Sequence, residues 1–357
     1  MVASTTRTEL SLAVRNLKLL VFFLCKIAGL FHLAQWITRD RLRILCYHGF
    51  ALADEAKFRP KLFITAKQFE QRLATVRRYR LNVLPLDEAI DHLYSHSLPD
   101  NSASITIDDG FHSVHRLAVP CLRAQGFPAT VYVTTYYVAN PHPIFRLVVQ
   151  YMFWKTRKRR LLRIQAPWTT RESIDLSDAA EKEQAVWDCI NFGERECTEE
   201  MRHAICEQLG TLLETPYEDI KQHKLLHLMN PDELRTLADA NIGIELHTHR
   251  HTFPSNNQSL AEREITDNRA ALQRWIATEG RHFCYPSGLW DKRQWVWLDN
   301  LGIKSSTTCM PGLNSPKTPR HALRRFLDSE DVHQLEFEAA ITGFTDLLRH
   351  GWSSDSA

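Results

Sequence analysis

The stretch Ser104-Ile105-Thr106-Ile107-Asp108-Asp109-Gly110 decides the fold. Its apolar and β-branched residues predict a buried β-strand, which ends on two adjacent carboxylates before a glycine turn. In parallel α/β folds, catalytic groups gather at the carboxyl ends of the strands. Because adjacent side chains diverge at such a point, one aspartate can bind a metal while the other faces a substrate. The alternative is a solvated Asp-Gly turn without chemistry.

A second segment, Ile244-Glu245-Leu246-His247-Thr248-His249-Arg250-His251, adds imidazoles to the carboxylates. His247 and His251 are four residues apart, so a helical turn or a tight loop can aim both at one point. His249 lies between them and would point elsewhere. One carboxylate and two imidazoles are the ligands of a catalytic Zn²⁺ that keeps a fourth position open for water. The two segments together predict a metal hydrolase whose second carboxylate is free to take a proton.

Strand-like and helix-like segments alternate along most of the chain. Strands are predicted at 42–47, 83–84, 103–107, 129–138, 243–246, 282–285 and 304–308. Helices are predicted at 64–79, 85–94, 115–125, 231–240, 260–279 and 290–300. This alternation is typical of an α/β fold with a parallel sheet or barrel. A helical insert at about 139–228 interrupts a domain that spans 39–350, and the polar tail 351–357 is predicted to be disordered.

The composition limits the class of protein and its surroundings. Hydrophobic residues make up 44% and charged residues 24%, the balance of a folded globular chain. The formal net charge of +2 gives no case for a nucleic-acid partner. None of the eight cysteines forms a Cys-x-x-Cys pair, which argues against a zinc ribbon. Scattered thiols in a chain of this length favour a reducing compartment.

The N-terminal residues 1–38 are predicted to form a membrane-associated helix. Residues 17–37 are strongly apolar but are interrupted by Lys18, Lys26, His32 and Gln35. A charge at the bilayer centre is costly, the uninterrupted apolar run is too short to span, and no signal-peptide cleavage site follows. We therefore expect an interfacial helix with Trp36 at the interface and basic residues near anionic headgroups, namely Arg7, Arg15, Lys18 and Lys26. The alternative is a helix packed on the protein's own core.

The insert carries an aromatic and basic run. Residues 151–154 are mostly aromatic, and five of the six residues 155–160 are basic. Such a run could lie on a membrane or bind a lipid pyrophosphate. The alternative is a solvated basic helix face that packs through its aromatic residues.

The two motifs and their flanks resemble the polysaccharide deacetylase family, the NodB-homology carbohydrate esterases. Thr106-Ile107-Asp108-Asp109-Gly110 is similar to the family pattern T-F-D-D-G, and His247-Thr248-x-x-His251 is similar to H-[ST]-x-x-H. Cys46-Tyr47-His48 resembles the tyrosine and histidine on the first strand of many members. The stretch 127–133 resembles the strand that follows the first motif. The resemblance covers 39–138 and 230–326.

The resemblance implies a distorted (β/α) barrel and a divalent metal, usually Zn²⁺. It implies that Asp109, His247 and His251 are the metal ligands, that Asp108 is the general base, and that the Thr248 hydroxyl tethers the ligand loop. These roles suit amide hydrolysis, because a bound Zn²⁺ lowers the pKa of water to about 7 and polarises the carbonyl. Asp108 would take the proton as the water attacks.

The third motif departs from the family pattern. The family commonly has R-P-P-Y, in which the arginine holds the catalytic carboxylate. Cys284-Tyr285-Pro286-Ser287-Gly288 instead resembles the Y-P-x-G variant of a divergent branch and lacks the arginine. Arg324 or Arg325 is the candidate replacement. The backbone N–H of Ser287 or a neighbour is the expected oxyanion donor.

The general acid that protonates the leaving amine is not evident. The leucine-x-histidine motif that usually supplies it is not recognisable, and His321 and His48 are the candidates. For His321, the alternative is an ordinary surface histidine. Because the acid is not evident, an alternative interpretation is that the chain is a degenerate member of the family that binds a glycan without turnover.

The sequence thus predicts a zinc-dependent (or other divalent metal-dependent) deacetylase associated with a membrane. Its substrate would be an N-acetyl group on a glycan or lipid-linked sugar used in cell-surface polysaccharide biosynthesis. The predicted location is the cytoplasmic face of the bacterial inner membrane. A rival interpretation is a hydrolase of a non-sugar amide C–N bond.

Overall fold

The computed structural model describes residues 2–352 apart from 163, 239 and 241, and it describes side chains from 13 to 349 apart from those positions and 238. The last helix runs to Trp352. The rest of the predicted disordered tail, 353–357, lies outside the described residues.

Twelve strands are described, most of them short. They are β1 Arg43–Tyr47, β2 Gly49–Phe50, β3 Phe63–Ile64, β4 Asn82–Val83, β5 Ser102–Ile107, β6 Ala129–Val133, β7 Arg160–Leu162, β8 Ser173–Asp175, β9 Ile242–Leu246, β10 His282–Cys284, β11 Ser305–Thr307 and β12 Phe326–Leu327.

Helices fill most of the connections between these strands. They are α1 Val2–Ile27, α2 Leu30–Ile37, α3 Glu55–Phe58, α4 Ala66–Arg78, α5 Leu86–Tyr94, α6 Val119–Gln125, α7 Tyr136–Ala139, α8 Phe145–Lys155, α9 Ala179–Glu196, α10 Glu199–Leu213, α11 Tyr217–Gln222, α12 Pro231–Ala238, α13 Gln258–Ile276, α14 Trp295–Asn300, α15 Gln334–Ile341 and α16 Phe344–Trp352. A π-helical turn spans Val114–Ala118, and 3₁₀ turns span Pro286–Gly288 and Lys292–Gln294.

The main sheet is parallel and curls into a barrel. Its strand order is β11-β10-β9-β6-β5-β1-β12, with β4 beside β5, and every pairing is parallel. A parallel bridge between Thr307 and Leu323 brings the chain that enters β12 back beside β11. The predicted (β/α) barrel is therefore confirmed.

The barrel interior is closed at the amino ends of the strands. Ile44 of β1, Tyr132 of β6 and Cys284 of β10 come from strands that are not neighbours, yet they belong to one buried cluster with Leu86 and Ile90 of α5. Asp87 in the first turn of α5 also lies 3.0 Å from the ring of His282, the first residue of β10, so α5 covers the amino ends of the strands. Every residue of β5 is buried, because a parallel strand packs on the barrel interior with one face and on helices with the other. The carboxyl ends of the strands therefore form the end at which a site can open.

The insert is mainly helical, as predicted, but it also contains an antiparallel hairpin of β7 and β8. Tyr151 and Phe153 are buried in the core. Three of the basic side chains form ion pairs within the fold: Lys155 with Asp54, Lys158 with Glu214 and Arg160 with Asp175. This packing favours the interpretation of a basic face held by its aromatic residues over that of a lipid-binding run.

The N-terminal segment forms two helices, α1 and α2, which are bent by 77° at the break between them. Gly29 at this break has φ 78°, the left-handed conformation that glycine adopts without strain. Within residues 2–352, no single helix is both long and apolar enough to cross a membrane, and this bent pair meets the criterion only jointly, by length and composition.

The expected orientation of the basic residues in α1 is wrong. Arg15 and Lys18 pair with Glu336, and Lys26 pairs with Glu338, so these side chains face α15 rather than headgroups. The side chain of Arg7 lies outside the described residues. The contact arises because α15 presents acidic residues to α1, which the sequence of α1 alone does not reveal.

Candidate metal centre and active site

The site lies where the carboxyl ends of β5 and β9 meet. Asp108 and Asp109 follow β5, and His247 follows β9. Asp109 has a φ of 69°, a conformation that is uncommon for a residue with a side chain. This turn directs the two adjacent aspartates to different partners, as the sequence predicts.

Asp109, His247 and His251 converge on one point. The Asp109 Oδ1 atom lies 3.3 Å from His247 Nε2 and 3.4 Å from His251 Nε2. All three donor atoms lie within 4.8 Å of one another. Two ligands at 2.0–2.1 Å from a tetrahedral Zn²⁺ are separated by about 3.3–3.4 Å. The donor set and its spacing therefore fit a divalent ion, and the assignment of these residues as its ligands stays a prediction.

The ring of His247 is held in the orientation that a metal ligand needs. Its Nδ1 atom lies 2.8 Å from the carbonyl oxygen of Cys284, which can only accept a hydrogen bond. Nδ1 therefore carries a proton, and Nε2, which faces Asp109, is the atom that would bind a metal. An outer hydrogen bond of this kind fixes the tautomer of metal-ligating histidines in many proteins. The ring is almost completely buried, which restricts its motion further.

The loop that carries the histidines has a strained backbone. Thr248 and His251 have φ values of 65° and 56°, and such strain persists only where the surroundings enforce it. The Thr248 hydroxyl accepts a hydrogen bond from the Thr252 N–H at 3.1 Å, the tether that the resemblance implies. His249 lies 2.9 Å from the Thr135 hydroxyl and so points away from the cluster, as predicted.

Two fully buried residues of α13 hold this loop and were missed by the sequence analysis. Asn268 accepts a hydrogen bond from the His247 N–H and donates to the carbonyl of Val133. Glu264 accepts from the N–H and the guanidinium of Arg250. The sequence did contain a signal: these two polar residues are four apart on the face of α13 that packs against the protein. Because burying such groups without partners is costly, the pair indicates a network.

Asp108 is clamped by an arginine. Arg325 Nη1 lies 2.7 Å from Asp108 Oδ1, and Nη2 lies 2.8 Å from Oδ2, a bidentate pair between two buried side chains. The thiols of Cys284 and Cys46 also donate to Oδ2, at 3.3 and 3.6 Å. Burial alone would raise the pKa of Asp108, but the charge and hydrogen bonds of Arg325 hold that pKa well below its usual value.

Arg325 thus occupies the functional position of the missing third-motif arginine. The segment that enters β12 supplies it, and its Nε also donates to the carbonyl of Thr308 at 2.9 Å. Of the two candidates from the sequence, the structure selects Arg325. At Arg324, the backbone N–H bonds to Asn314 and no ion pair with Asp108 is formed.

The two histidine candidates for the general acid lie in different surroundings. His48 Nε2 is 3.7 Å from Asp108 Oδ2, and its side chain is 20% exposed. His321 bonds through Nδ1 to Ser306 and through Nε2 to Asp299, so both ring nitrogens are occupied. Neither of these contacts of His321 is with Asp108. The geometry does not favour His321 as the acid, and the alternative of a surface histidine is wrong because the residue is buried.

The Tyr-Pro-Ser-Gly turn lies beside the cluster, because the carbonyl of Cys284 just before it holds His247. Ser287 is exposed and has a φ of 57°. Gly288 has a φ of 66°, and a Cβ atom there would lie 2.6 Å from Cys309 Sγ, so this position requires glycine. The role of the Ser287 N–H as an oxyanion donor stays a prediction.

Comparison with known proteins supports the resemblance. The family model described as polysaccharide deacetylase matches residues 201–306, which include both histidines and the Tyr-Pro-Ser-Gly turn. The comparison with curated proteins found no match.

Solved structures show that the fold is shared over most of the chain. One is the Streptococcus pyogenes deacetylase PplD in complex with acetate, with a TM-score of 0.55, 14% identity and coverage of 84% of this chain and 98% of that chain. IcaB from Ammonifex degensii has a TM-score of 0.53, 16% identity and coverage of 85% and 97%. A de-N-acetylase from Aggregatibacter actinomycetemcomitans has a TM-score of 0.53 and 13% identity, and the match covers 84% of this chain and 99% of that chain. The resemblance to polysaccharide deacetylases is therefore confirmed.

Proposed function

We propose that this chain is a metal-dependent hydrolase that removes an N-acetyl group from a glycan or a lipid-linked sugar. The observation that carries the proposal is the convergence of Asp109, His247 and His251 beside Asp108, which Arg325 holds apart from them. The titles of two solved structures with this fold describe a deacetylase bound to acetate and a de-N-acetylase. We place the reaction in cell-surface polysaccharide biosynthesis.

The proposed cofactor is Zn²⁺ or another divalent metal. One carboxylate oxygen and two imidazole nitrogens leave an open fourth position, the arrangement of catalytic rather than structural zinc sites. When bound, such an ion lowers the pKa of a water to about 7 and polarises an amide carbonyl. Asp109 and the two histidines would hold it.

Asp108 is the proposed proton acceptor. Because Arg325 keeps its pKa well below the usual range, the carboxylate is ionised at neutral pH. Each carboxylate oxygen has two lone pairs, so Asp108 can accept a further hydrogen bond beside those from Arg325 and the thiols. A carboxylate of such low basicity does not retain a proton for long, and the proton must pass on to the leaving amine.

His48 is the proposed group that completes this transfer. Its Nε2 lies 3.7 Å from Asp108, close enough for one small adjustment or one water to connect them. Its partial exposure places it toward the opening, where the leaving amine would sit. The N–H of Ser287 remains the proposed donor to the developing oxyanion.

The geometry of this site bears differently on the two rival functions. The glycan-binding member without turnover was suggested by the lack of an arginine and a general acid. Arg325 removes the first reason and His48 weakens the second. A hydrolase of a non-sugar amide would use the same residues, and only its substrates would differ.

Amine release from acetylated oligosaccharides tests the proposal. We expect turnover by the metal-loaded protein and its loss in Asp108→Asn, whereas His249→Gln, a matched change at the histidine that points away, retains it. Metal binding without turnover on any acetylated sugar would favour the glycan-binding protein. Turnover that persists in Asp108→Asn would reject the assignment of the base.

We also propose that the protein works at the cytoplasmic face of the bacterial inner membrane. All eight cysteines, each of which lies among the described residues, are free thiols. Free thiols, including the two beside Asp108, are maintained in a reducing compartment. Labelling of these thiols in intact cells by a membrane-impermeant reagent would contradict this location.

A further inference from the structure

Helices α1 and α2 present a continuous apolar surface outward. We call this surface the outer apolar face, and its side chains are 39–68% exposed: Val14, Leu17, Leu20, Val21, Phe23, Leu24, Ile27, Leu30, Leu33, Trp36 and Ile37. Among the side chains that the structure describes, nine other large hydrophobic ones are exposed, and they are scattered between residues 154 and 348. The outer apolar face is therefore a local feature of these two helices.

The opposite face of the same helices is charged and is bound to the protein. Arg15 donates to the carbonyl of Asp331 at 2.6 Å, Lys18 lies 2.7 Å from Glu336, and Lys26 lies 2.5 Å from Glu338. His32 packs on the ring of Tyr79. Every charged or imidazole side chain between Val14 and Ile37 thus contacts the fold, which leaves the outer apolar face without charge.

Apolar contacts fix this orientation. Phe22 and Phe31 pack edge-on with ring centroids 6.3 Å apart, and both rings contact Phe344 of α16. Ala34 and Ala339 complete the same buried cluster. The helices are therefore held on the protein by both ion pairs and apolar packing, and they do not need to turn over to hide the outer apolar face.

The area and composition of this face require a partner. Eleven side chains, each more than a third exposed, leave on the order of 700 Å² of apolar surface, whereas monomeric soluble proteins usually expose patches of about 300–600 Å². Burial of this area in an apolar medium would stabilise the bound state, because the gain is roughly proportional to the area removed from water.

The end of the face at Trp36 has a charge that suits anionic headgroups. Arg15, Lys18 and Lys26 are bound by Glu336 and Glu338 on the opposite face, but Arg39, whose side chain is 42% exposed, lies where α2 ends. Residues 13–39 contain these four cations and no carboxylate, so the two helices carry a net positive charge, which anionic lipids attract. Arg39 also lies 4.9 Å from the ring of Trp36, and tryptophan and basic residues are typical of the membrane interface.

We propose that the outer apolar face docks on a lipid surface that contains anionic headgroups, with α1 and α2 lying in the interface. The 77° bend separates segments of 15 and 8 apolar-rich residues. At 1.5 Å per residue these are about 22 and 12 Å long, shorter than the roughly 30 Å hydrocarbon core. Insertion through the apolar side chains, with Arg15, Lys18 and Lys26 turned toward the protein, differs from the arrangement expected from the sequence.

Sedimentation with lipid vesicles tests this inference without any need for turnover. The full chain would be mixed with vesicles of phosphatidylcholine alone or of phosphatidylcholine with phosphatidylglycerol. Leu20→Ser/Leu24→Ser removes two side chains of the outer apolar face. Leu162→Ser/Met201→Ser makes a matched change at two exposed positions elsewhere. Circular dichroism would establish that each variant is folded.

We expect the wild type and the control variant to sediment with the anionic vesicles and the Leu20→Ser/Leu24→Ser variant to bind roughly tenfold or more weakly. Equal binding by all three proteins, or no binding by the folded wild type, would overturn the inference. Equal binding to neutral and anionic vesicles would overturn the requirement for anionic headgroups. If the wild type instead forms a stable dimer that does not bind vesicles, and Leu20→Ser/Leu24→Ser makes this dimer dissociate, the inference is overturned and the face binds a second copy of the chain.

Discussion

Replacement of Arg325 by methionine probes the pair that most distinguishes this site. The change leaves the Asp108 carboxylate buried without its partner. Removal of one partner from a buried ion pair costs about 3–5 kcal/mol, against a total stability of about 5–15 kcal/mol for a folded domain. We therefore expect the free energy of unfolding at pH 7 to fall by about 3–5 kcal/mol.

The loss should depend on pH in a defined direction. In the wild type the pKa of Asp108 is lower in the folded state than in the unfolded chain, where it is about 4. The ion pair therefore stabilises the fold fully above pH 4, and this stabilisation is lost only as the pH falls through the lowered pKa. Without Arg325, burial dominates and raises the pKa of Asp108 above about 4. A neutral carboxyl then suits the folded state, and the destabilisation should shrink as pH falls from 7 toward 4.

Urea unfolding between pH 4 and 7 measures both effects. Arg324→Met, the same change at the next residue, serves as the control because it leaves the Asp108 clamp intact. Arg325→Lys keeps the charge but not the bidentate geometry. Its free energy of unfolding should therefore fall by less than that of Arg325→Met, by about 1–2 kcal/mol. In the double variant Asp108→Asn/Arg325→Met, the fall in the free energy of unfolding should be smaller, by about 2 kcal/mol or more, than the sum of the falls in the two single variants. Additive losses, or a loss for Arg325→Met that does not change with pH, would refute this reasoning.

Three further predictions concern neighbouring residues. Asn268→Leu should weaken metal affinity about 10–100-fold while the fold is retained, because the His247 loop loses its anchor; unchanged affinity in a metal titration would contradict this role. Gly288→Ala should lower the free energy of unfolding by about 1–3 kcal/mol, because its φ is 66° and its Cβ would meet Cys309; equal denaturation midpoints would be inconsistent with the turn described. His48→Gln should lower kcat by about 10²–10⁴-fold with metal affinity unchanged, and wild-type kcat in that variant would exclude His48 as the acid.

The sequence was sufficient for those features that depend on local pattern. The run up to Asp108 and Asp109 predicted both a strand and its polar end, and the four-residue spacing of His247 and His251 predicted their convergence. Parallel strands then place their carboxyl ends at one edge. The alternation of elements predicted a parallel sheet or barrel, and the family resemblance implied the barrel.

Long-range partners could not be predicted in the same way. Arg325 is 217 residues away from Asp108 in sequence, and no spacing rule connects them because the barrel closure alone brings β12 near β5. The inward direction of Lys18 and Lys26 depends on the acidic surface of α15, which belongs to a distant part of the chain. Similarly, the strand predicted at 129–138 ends at Val133, because hydrogen bonds to the histidine loop turn the chain at Thr134.

The central claim is that Asp109, His247 and His251 share one metal ion. Calorimetric titration of Zn²⁺ into the chelator-treated chain tests it directly, with His251→Gln compared with His249→Gln. The account predicts one site per chain that His251→Gln weakens strongly and His249→Gln leaves intact. Equal Zn²⁺ affinity in His251→Gln and the wild type would contradict it.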